Sequence, residues 1–171
     1  MGRAYKVVVT GSFNAGKSAF ISAVSDIPVV STERRITDTL AKVKETTTVA
    51  MDYGQTTVGG CLFHLYGTPG QDRFNFMWDI LSREMDGLLV LVDSTDRPSF
   101  TVVRRLLRRL RRGRRVPLLV VATKQDGRRA LSPEEIAAAL RIEPADIVVP
   151  CDPRRKSSAK KVLQRLLTYL E

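Results

Sequence analysis

Hydrophobic positions in this chain fall into short dense runs, separated by longer stretches in which they recur at helical spacing. The runs Tyr5–Thr10, Thr48–Gly54, Cys61–Tyr66, Gly87–Asp93, Val116–Thr123 and Ile147–Cys151 predict six strands. Leu88-Leu89-Val90-Leu91-Val92 barely alternates, the mark of a strand buried on both faces of a mainly parallel sheet. Helical spacing predicts helices over Lys17–Val24, Gln71–Met85, Ser99–Arg112, Pro133–Leu140 and Ser158–Tyr169. Such alternation is that of an α/β domain with helices on both faces of the sheet. One antiparallel hairpin is expected from Thr48 to Tyr66, where Gly54 and Gly59-Gly60 bound a short connection. Ser25 to Thr47 is polar and poorly periodic, and reads as a long functional loop.

Composition narrows this little. At 171 residues, with no internal repeat and no linker, the chain reads as one domain over 1–171. No stretch approaches a membrane span. Cys61 and Cys151 both lie in apolar runs and read as reduced core thiols, which suits a cytoplasmic protein.

Charge changes the picture more. The net charge is +10, and eight arginines fall between Arg104 and Arg115. Leu106, Leu107 and Leu110 interleave with them, so the segment is an amphipathic helix with one basic face. A solvated face is the simplest account; an acidic or anionic partner is the functional alternative. Base-stacking aromatics do not interleave with the arginines, which argues against nucleic acid.

The chemistry begins at Gly11-Ser12-Phe13-Asn14-Ala15-Gly16-Lys17-Ser18, which fits G-x-x-x-x-G-K-[ST] between a predicted strand and a predicted helix. Glycines let the backbone wrap a phosphate with its N–H groups inward, and the helix start adds a positive dipole end. Lys17 reaches the β/γ oxygens and the Ser18 hydroxyl can ligate Mg²⁺. At the end of another strand stands Thr123-Lys124-Gln125-Asp126. A carboxylate there accepts from both N1–H and the exocyclic amine of guanine, a donor pair that adenine lacks. After Cys61–Tyr66 comes Gly67-Thr68-Pro69-Gly70-Gln71-Asp72-Arg73-Phe74. A glycine N–H near a γ-phosphate followed by Gln suits a sensor loop in which Gln71 orients the attacking water, although the segment is also a Pro-Gly turn.

With GSFNAGKS, ETTTVAMDYG, GTPGQDRF, LVDSTDRPSF and TKQD in this order, the chain resembles the Ras-like small GTPases over nearly its whole length. Within them it is most similar to the prokaryotic branch related to MglA, which works with Roadblock-type partners. The resemblance implies a P-loop NTPase fold with a six-stranded, mostly parallel sheet. It implies GTP/GDP and Mg²⁺ as ligands, slow hydrolysis, and switch regions near 26–54 and 67–85. By that resemblance Gly11, Asn14, Ala15, Gly16, Lys17 and Ser18 hold phosphates. Thr48 joins Ser18 on the metal, preferred to Thr46 and Thr47 because Thr48-Val49-Ala50-Met51-Asp52 follows the family's T-x-G-x-D rhythm. Gly70, Gln71 and Lys17 serve catalysis, and Thr123, Lys124 and Asp126 read the base. For the last base-contacting loop, Cys151-Asp152-Pro153 is preferred to the triplet Ser158-Ala159-Lys160, with Ser157 or Ser158 capping the final helix.

Two departures bear on mechanism. Gly67 stands where the family keeps a carboxylate near Mg²⁺, leaving Asp52 or Asp93 as substitutes through water. Phe13 stands where the family keeps a small residue, close to where an activating arginine would enter. Poor hydrolysis would make the protein a guanine-nucleotide-dependent binding module instead of an enzyme. His64 reads as structural. Asp126→Asn is expected to weaken guanine-nucleotide binding by about 100-fold or more. Competition between GDP and ADP checks this, since an adenine-nucleotide protein would keep its preference.

Overall fold

Alternate side chains of a strand point to opposite faces, so a strand apolar at every position needs cover on both sides. The computed structural model describes residues 2–38, 45–68, 84–112, 116–144 and 147–171, with backbone alone at 31–38, 45–50, 111 and 112. Its strands are β1 (Ala4–Gly11), β2 (Val30–Asp38), β3 (Glu45–Val58), β4 (Cys61–Gly67), β5 (Gly87–Asp93), β6 (Leu118–Thr123) and β7 (Val148–Pro150). The described helices are α1 (Lys17–Val24), α2 (Phe100–Arg112), α3 (Pro133–Leu140) and α4 (Lys156–Leu170). The strands form one sheet in the order β2-β3-β4-β1-β5-β6-β7. Pairing is parallel from β4 through β1, β5 and β6 to β7, and antiparallel at β2/β3 and β3/β4.

The two faces are sorted by strand parity. Val8, Leu88, Val90, Val92, Val120 and Ala122 pack against α2 and α3. Val7, Val9, Leu89, Leu91, Leu119 and Val121 face the other way, against α1 and α4. Every residue of β5 is buried, as its unbroken apolar run requires. In α2, Val103, Leu106, Leu107 and Leu110 are buried while Arg105, Arg108 and Arg109 are exposed, so the basic stripe lies on the outer face.

The expected α/β class is present, with one strand more than the six expected. The segment Ser25 to Thr47, expected as a loop, contains β2 and the start of β3, paired from Val30↔Tyr53 to Asp38↔Glu45. Ser31-Thr32-Glu33-Arg34-Arg35-Ile36-Thr37-Asp38 carries almost no apolar alternation. Its pairing at the sheet edge is a matter of backbone hydrogen bonds, which leave no periodic signal. Gly54 lies inside β3 instead of at a turn, and Gly59-Gly60 alone forms the β3/β4 turn with positive φ of 58° and 76°. The helix expected over Gln71–Met85 lies outside the described residues except for its end.

Phe20 is fully buried between α1 and the sheet. Phe20→Ala is expected to cost about 3–5 kcal/mol, because removing the ring leaves a cavity as well as losing its transfer free energy. Urea unfolding checks this, with a lowered midpoint at an unchanged slope.

Candidate functional site

The loops that carry the sequence motifs leave the carboxyl ends of β1, β4, β6 and β7, the edge at which open α/β sheets place ligands. The first loop turns sharply at Gly11. Its φ is +145°, and a Cβ there would run into the Leu91 carbonyl oxygen of the neighbouring strand. Asn14 follows in left-handed backbone at φ 63°. Gly16 caps α1 at φ 103°, and the Pro153 ring stands 3.0 Å from where its Cβ would be. The loop therefore rests directly beneath the loop after β7. Phe13 is 80% exposed and points out of the protein instead of into the loop.

Lys17 spans the turn, its Nζ donating to the carbonyl oxygens of Ser12 (2.7 Å) and Gly11 (3.2 Å). Burial lowers its pKa to about 8. The next residue, Ser18, donates through Oγ to Oδ2 of Asp52 at 2.9 Å. Asp52 is the register partner of Gly67 across β3 and β4. A Cβ on Gly67 would stand 2.7 Å from Ile21 Cδ1 and 3.5 Å from Asp52 Cβ. The space in front of Ser18 is thus shared between these two positions, and Asp52 places a carboxylate in it. Hydroxyl and carboxylate oxygens side by side are the hard donors that Mg²⁺ prefers, so the residues present fit this ion.

Thr48 lies on β3 opposite Arg35. It stands four positions before Asp52, about 13 Å along the strand. Gly70 and Gln71 lie outside the described residues. Just before them, Thr68 continues β4, its N–H donating to Val9 O (3.0 Å) and its Oγ1 to Thr10 Oγ1 (3.0 Å).

On the base side, the fully buried Thr123 hydroxyl lies 2.8 Å from Ala15 O and 3.1 Å from Val92 O, tying this loop to the phosphate loop. Lys124 follows in left-handed backbone at φ 57°, and its Nζ meets Asp93 Oδ2 at 2.9 Å. Burial pushes the Asp93 carboxyl up, but hydrogen bonds from Thr95 and Lys124 outweigh it and hold the group below the usual carboxylate range. Asp93 accordingly orients Lys124, and not Ser18. Gln125 Nε2 donates to Ser94 Oγ (2.6 Å) and Leu131 O (2.8 Å), bracing the loop from behind. That leaves Asp126 exposed at the mouth.

Cys151, Asp152 and Pro153 form the neighbouring wall. Cys151 is buried, which pushes its thiol pKa up, and its N–H donates to Ala122 O at 3.0 Å. Ser158, Ala159 and Lys160 belong to α4, so the triplet is helical and not part of the loop. The expected cap at Ser157 or Ser158 is displaced as well. Arg155 occupies that position, and Ser158 Oγ instead accepts from Asp152 N–H at 2.9 Å. His64 is half-buried, with Nδ1 2.6 Å from the Tyr53 hydroxyl, in keeping with a structural role.

The ADP-ribosylation factor family model matches residues 1–170. The chain belongs to this family. Membership in the ADP-ribosylation factor family makes it a Ras-like small GTPase, of a class built as nucleotide-dependent switches. It is 28% identical to ADP-ribosylation factor-related protein 1 of Bos taurus, over 79% of this chain and 66% of that protein. It is also 27% identical to human EF-hand calcium-binding domain-containing protein 4B, over 99% of this chain but 22% of that much longer protein. The chain thus spans less than two thirds of the length of these relatives. Among solved structures, the Arl6 BBS3 small GTPase from Trypanosoma brucei, with bound nucleotide analogue GppNp, matches with a TM-score of 0.75. Identity is 20%, with 98% of this chain and 97% of that one covered, and the likeness speaks for the fold. Relatives of the ADP-ribosylation factor type give the expected MglA-related branch no support.

Sequence reasoning missed Arg154, whose Nη2 lies 3.4 Å from Asp126 Oδ2. The only signal was an arginine two residues after an aspartate in a Pro-containing turn. For Lys17, the folded pKa of about 8 lies below the unfolded 10.5, so between these values the unfolded chain binds more protons. Nucleotide-free protein should therefore gain stability from this group as pH rises from about 8 to 10.5. Thermal midpoints measured across that range check this, the wild type rising relative to Lys17→Met.

Proposed function

We propose that the protein is a guanine-nucleotide switch that binds GTP and GDP with Mg²⁺ and hydrolyses GTP slowly. The observation that carries the reading is the union of the three loops, with Thr123 Oγ1 on Ala15 O and Pro153 against Gly16. These contacts hold a phosphate cradle and a carboxylate suited to guanine in one rigid edge. The α1 start presents backbone N–H groups that lack helical carbonyl partners, a fit for phosphate oxygens. Lys17, already held over the loop by carbonyls, exchanges them for β/γ oxygens. Ser18 and Asp52 hold the metal, Asp52 directly or through water, and Thr48 joins them as the family resemblance implies. When bound, Mg²⁺ would offset charge on the phosphates. Gln71 and Gly70 orient water for in-line attack on the γ-phosphorus, giving GDP and phosphate.

A binding module with little hydrolysis is the second reading, favoured by exposed Phe13 at the cradle's rim. A Roadblock-type regulator at 26–54 and 67–85, with the MglA-related placement behind it, rests on the Thr68-Pro69-Gly70-Gln71 loop alone. The exposed Arg105 and Arg108 suit an acidic partner rather than an inserted membrane helix, because the apolar face of α2 is already buried. A cytoplasmic setting is supported by two buried free thiols, Cys61 and Cys151.

Dissociation of fluorescently labelled GDP with and without chelator, together with single-turnover GTP hydrolysis, tests the reading. Chelation should speed release from the wild type. Asp52→Asn in Mg²⁺ should release GDP about tenfold or more faster than the wild type, matching the chelated rate. Failure to bind GDP and GTP overturns the switch; binding without phosphate production leaves the module. A retained Mg²⁺ response in Asp52→Asn removes Asp52 from the metal site.

A further inference from the structure

Guanine recognition by a carboxylate needs both oxygens aligned with two parallel N–H donors, and Asp126 is poorly placed to provide that unaided. Its side chain is 72% exposed, and among the described residues its one hydrogen-bond partner is Arg154. A carboxylate so free samples several rotamers in water, and selecting one of them costs entropy on binding.

Arg154 is itself 68% exposed, but its contacts to Asp152 hold it independently of Asp126. Its Nε donates to Asp152 Oδ1 (3.0 Å) and its Nη2 to Asp152 Oδ2 (3.2 Å), while its backbone N–H donates to Oδ1 (3.1 Å). Asp152 is anchored in turn, its N–H donating to Ser158 Oγ in the first turn of α4. The hydrogen bond from Arg154 holds the Asp152 carboxyl below the usual range. Between these two residues stands buried Pro153, against Gly16. The guanidinium is therefore held by Asp152 on the loop after β7, and the same Nη2 that meets Asp152 Oδ2 extends to Asp126 Oδ2 at 3.4 Å.

We propose that Arg154 is a positioning residue for guanine specificity: braced by Asp152, it fixes the Asp126 carboxylate in the orientation that accepts N1–H and the exocyclic amine together. This rests on the guanine-nucleotide reading above. Each carboxylate oxygen carries more than one acceptor site, so Oδ2 can keep Arg154 while the base takes the remaining sites. The fork geometry, held at both Nε and Nη2, is one that lysine does not reproduce.

The test compares release of fluorescently labelled GDP and IDP, since hypoxanthine lacks the exocyclic amine. Arg154→Ala is expected to release GDP about two- to fivefold faster, the scale of an exposed charged contact. IDP release should hardly change, so the preference for GDP narrows. Arg154→Lys should restore little of it. Asp152→Asn should act like Arg154→Ala, and the double variant should add nothing further. Slower GDP release from Arg154→Ala would make the guanidinium a competitor of the base and overturn the proposal. Equal acceleration of both nucleotides would reduce Arg154 to loop support and overturn it too. A wild type indifferent between GDP and IDP overturns the guanine reading and this inference together. A wild type that prefers GDP, with the preference unchanged in Arg154→Ala, overturns the inference alone.

Discussion

The hydroxyl of Thr123 joins what would otherwise be two separate loops. It is fully buried at the end of β6, within hydrogen-bond reach of Ala15 O in the phosphate loop and Val92 O in β5. A hydroxyl in that position cannot turn to water, so it depends on these two carbonyls, and losing both would leave a buried donor unsatisfied. Because β1, β5 and β6 are adjacent and parallel, their carboxyl ends meet at one edge, and Thr123 locks that edge together. The spacing between the Gly11–Ser18 loop and the Thr123–Asp126 loop follows from this lock. The loop after β7 joins the same edge separately, its Cys151 N–H continuing the pairing to Ala122 O.

The surroundings of Ser18 show how one place can be reached by a side chain from either of two paired strands. Residues paired across antiparallel strands sit beside one another, so a carboxylate lost from one can be offered by the other. Gly67 and Asp52 are such a pair, and Ser18 already donates to Asp52. Ile21 would crowd any side chain on Gly67, so this part of α1 is packed for the arrangement as it stands. The same hairpin carries Thr48, which ties the metal side to the pairing of β3 with the edge strand β2.

Charge is organised differently on the two sides of the base slot. Lys124 is committed to Asp93, and Arg154 to Asp152, leaving Asp126 as the carboxylate turned to the mouth. Arg154 also extends to Asp126, so among the described residues that carboxylate is exposed but not unpartnered. Arg105, Arg108 and Arg109 of α2 lie on another face, and their exposure follows from the leucines between them.

Much of this was legible in one dimension. Residue types at short range determined the phosphate loop, because glycine at Gly11 and Gly16 answers local backbone demands and Lys17-Ser18 must follow directly. Apolar runs determined the doubly covered strands, since burial on both faces leaves no polar positions to interrupt them. Edge strand β2 left no such trace, because its pairing uses backbone groups that every sequence carries. Tertiary structure alone decided three things: that Asp52 stands in front of Ser18, that Asp93 serves Lys124, and that Arg154 reaches Asp126. Each joins residues from different elements or loops, and such a meeting depends on strand order and register, which no local pattern encodes.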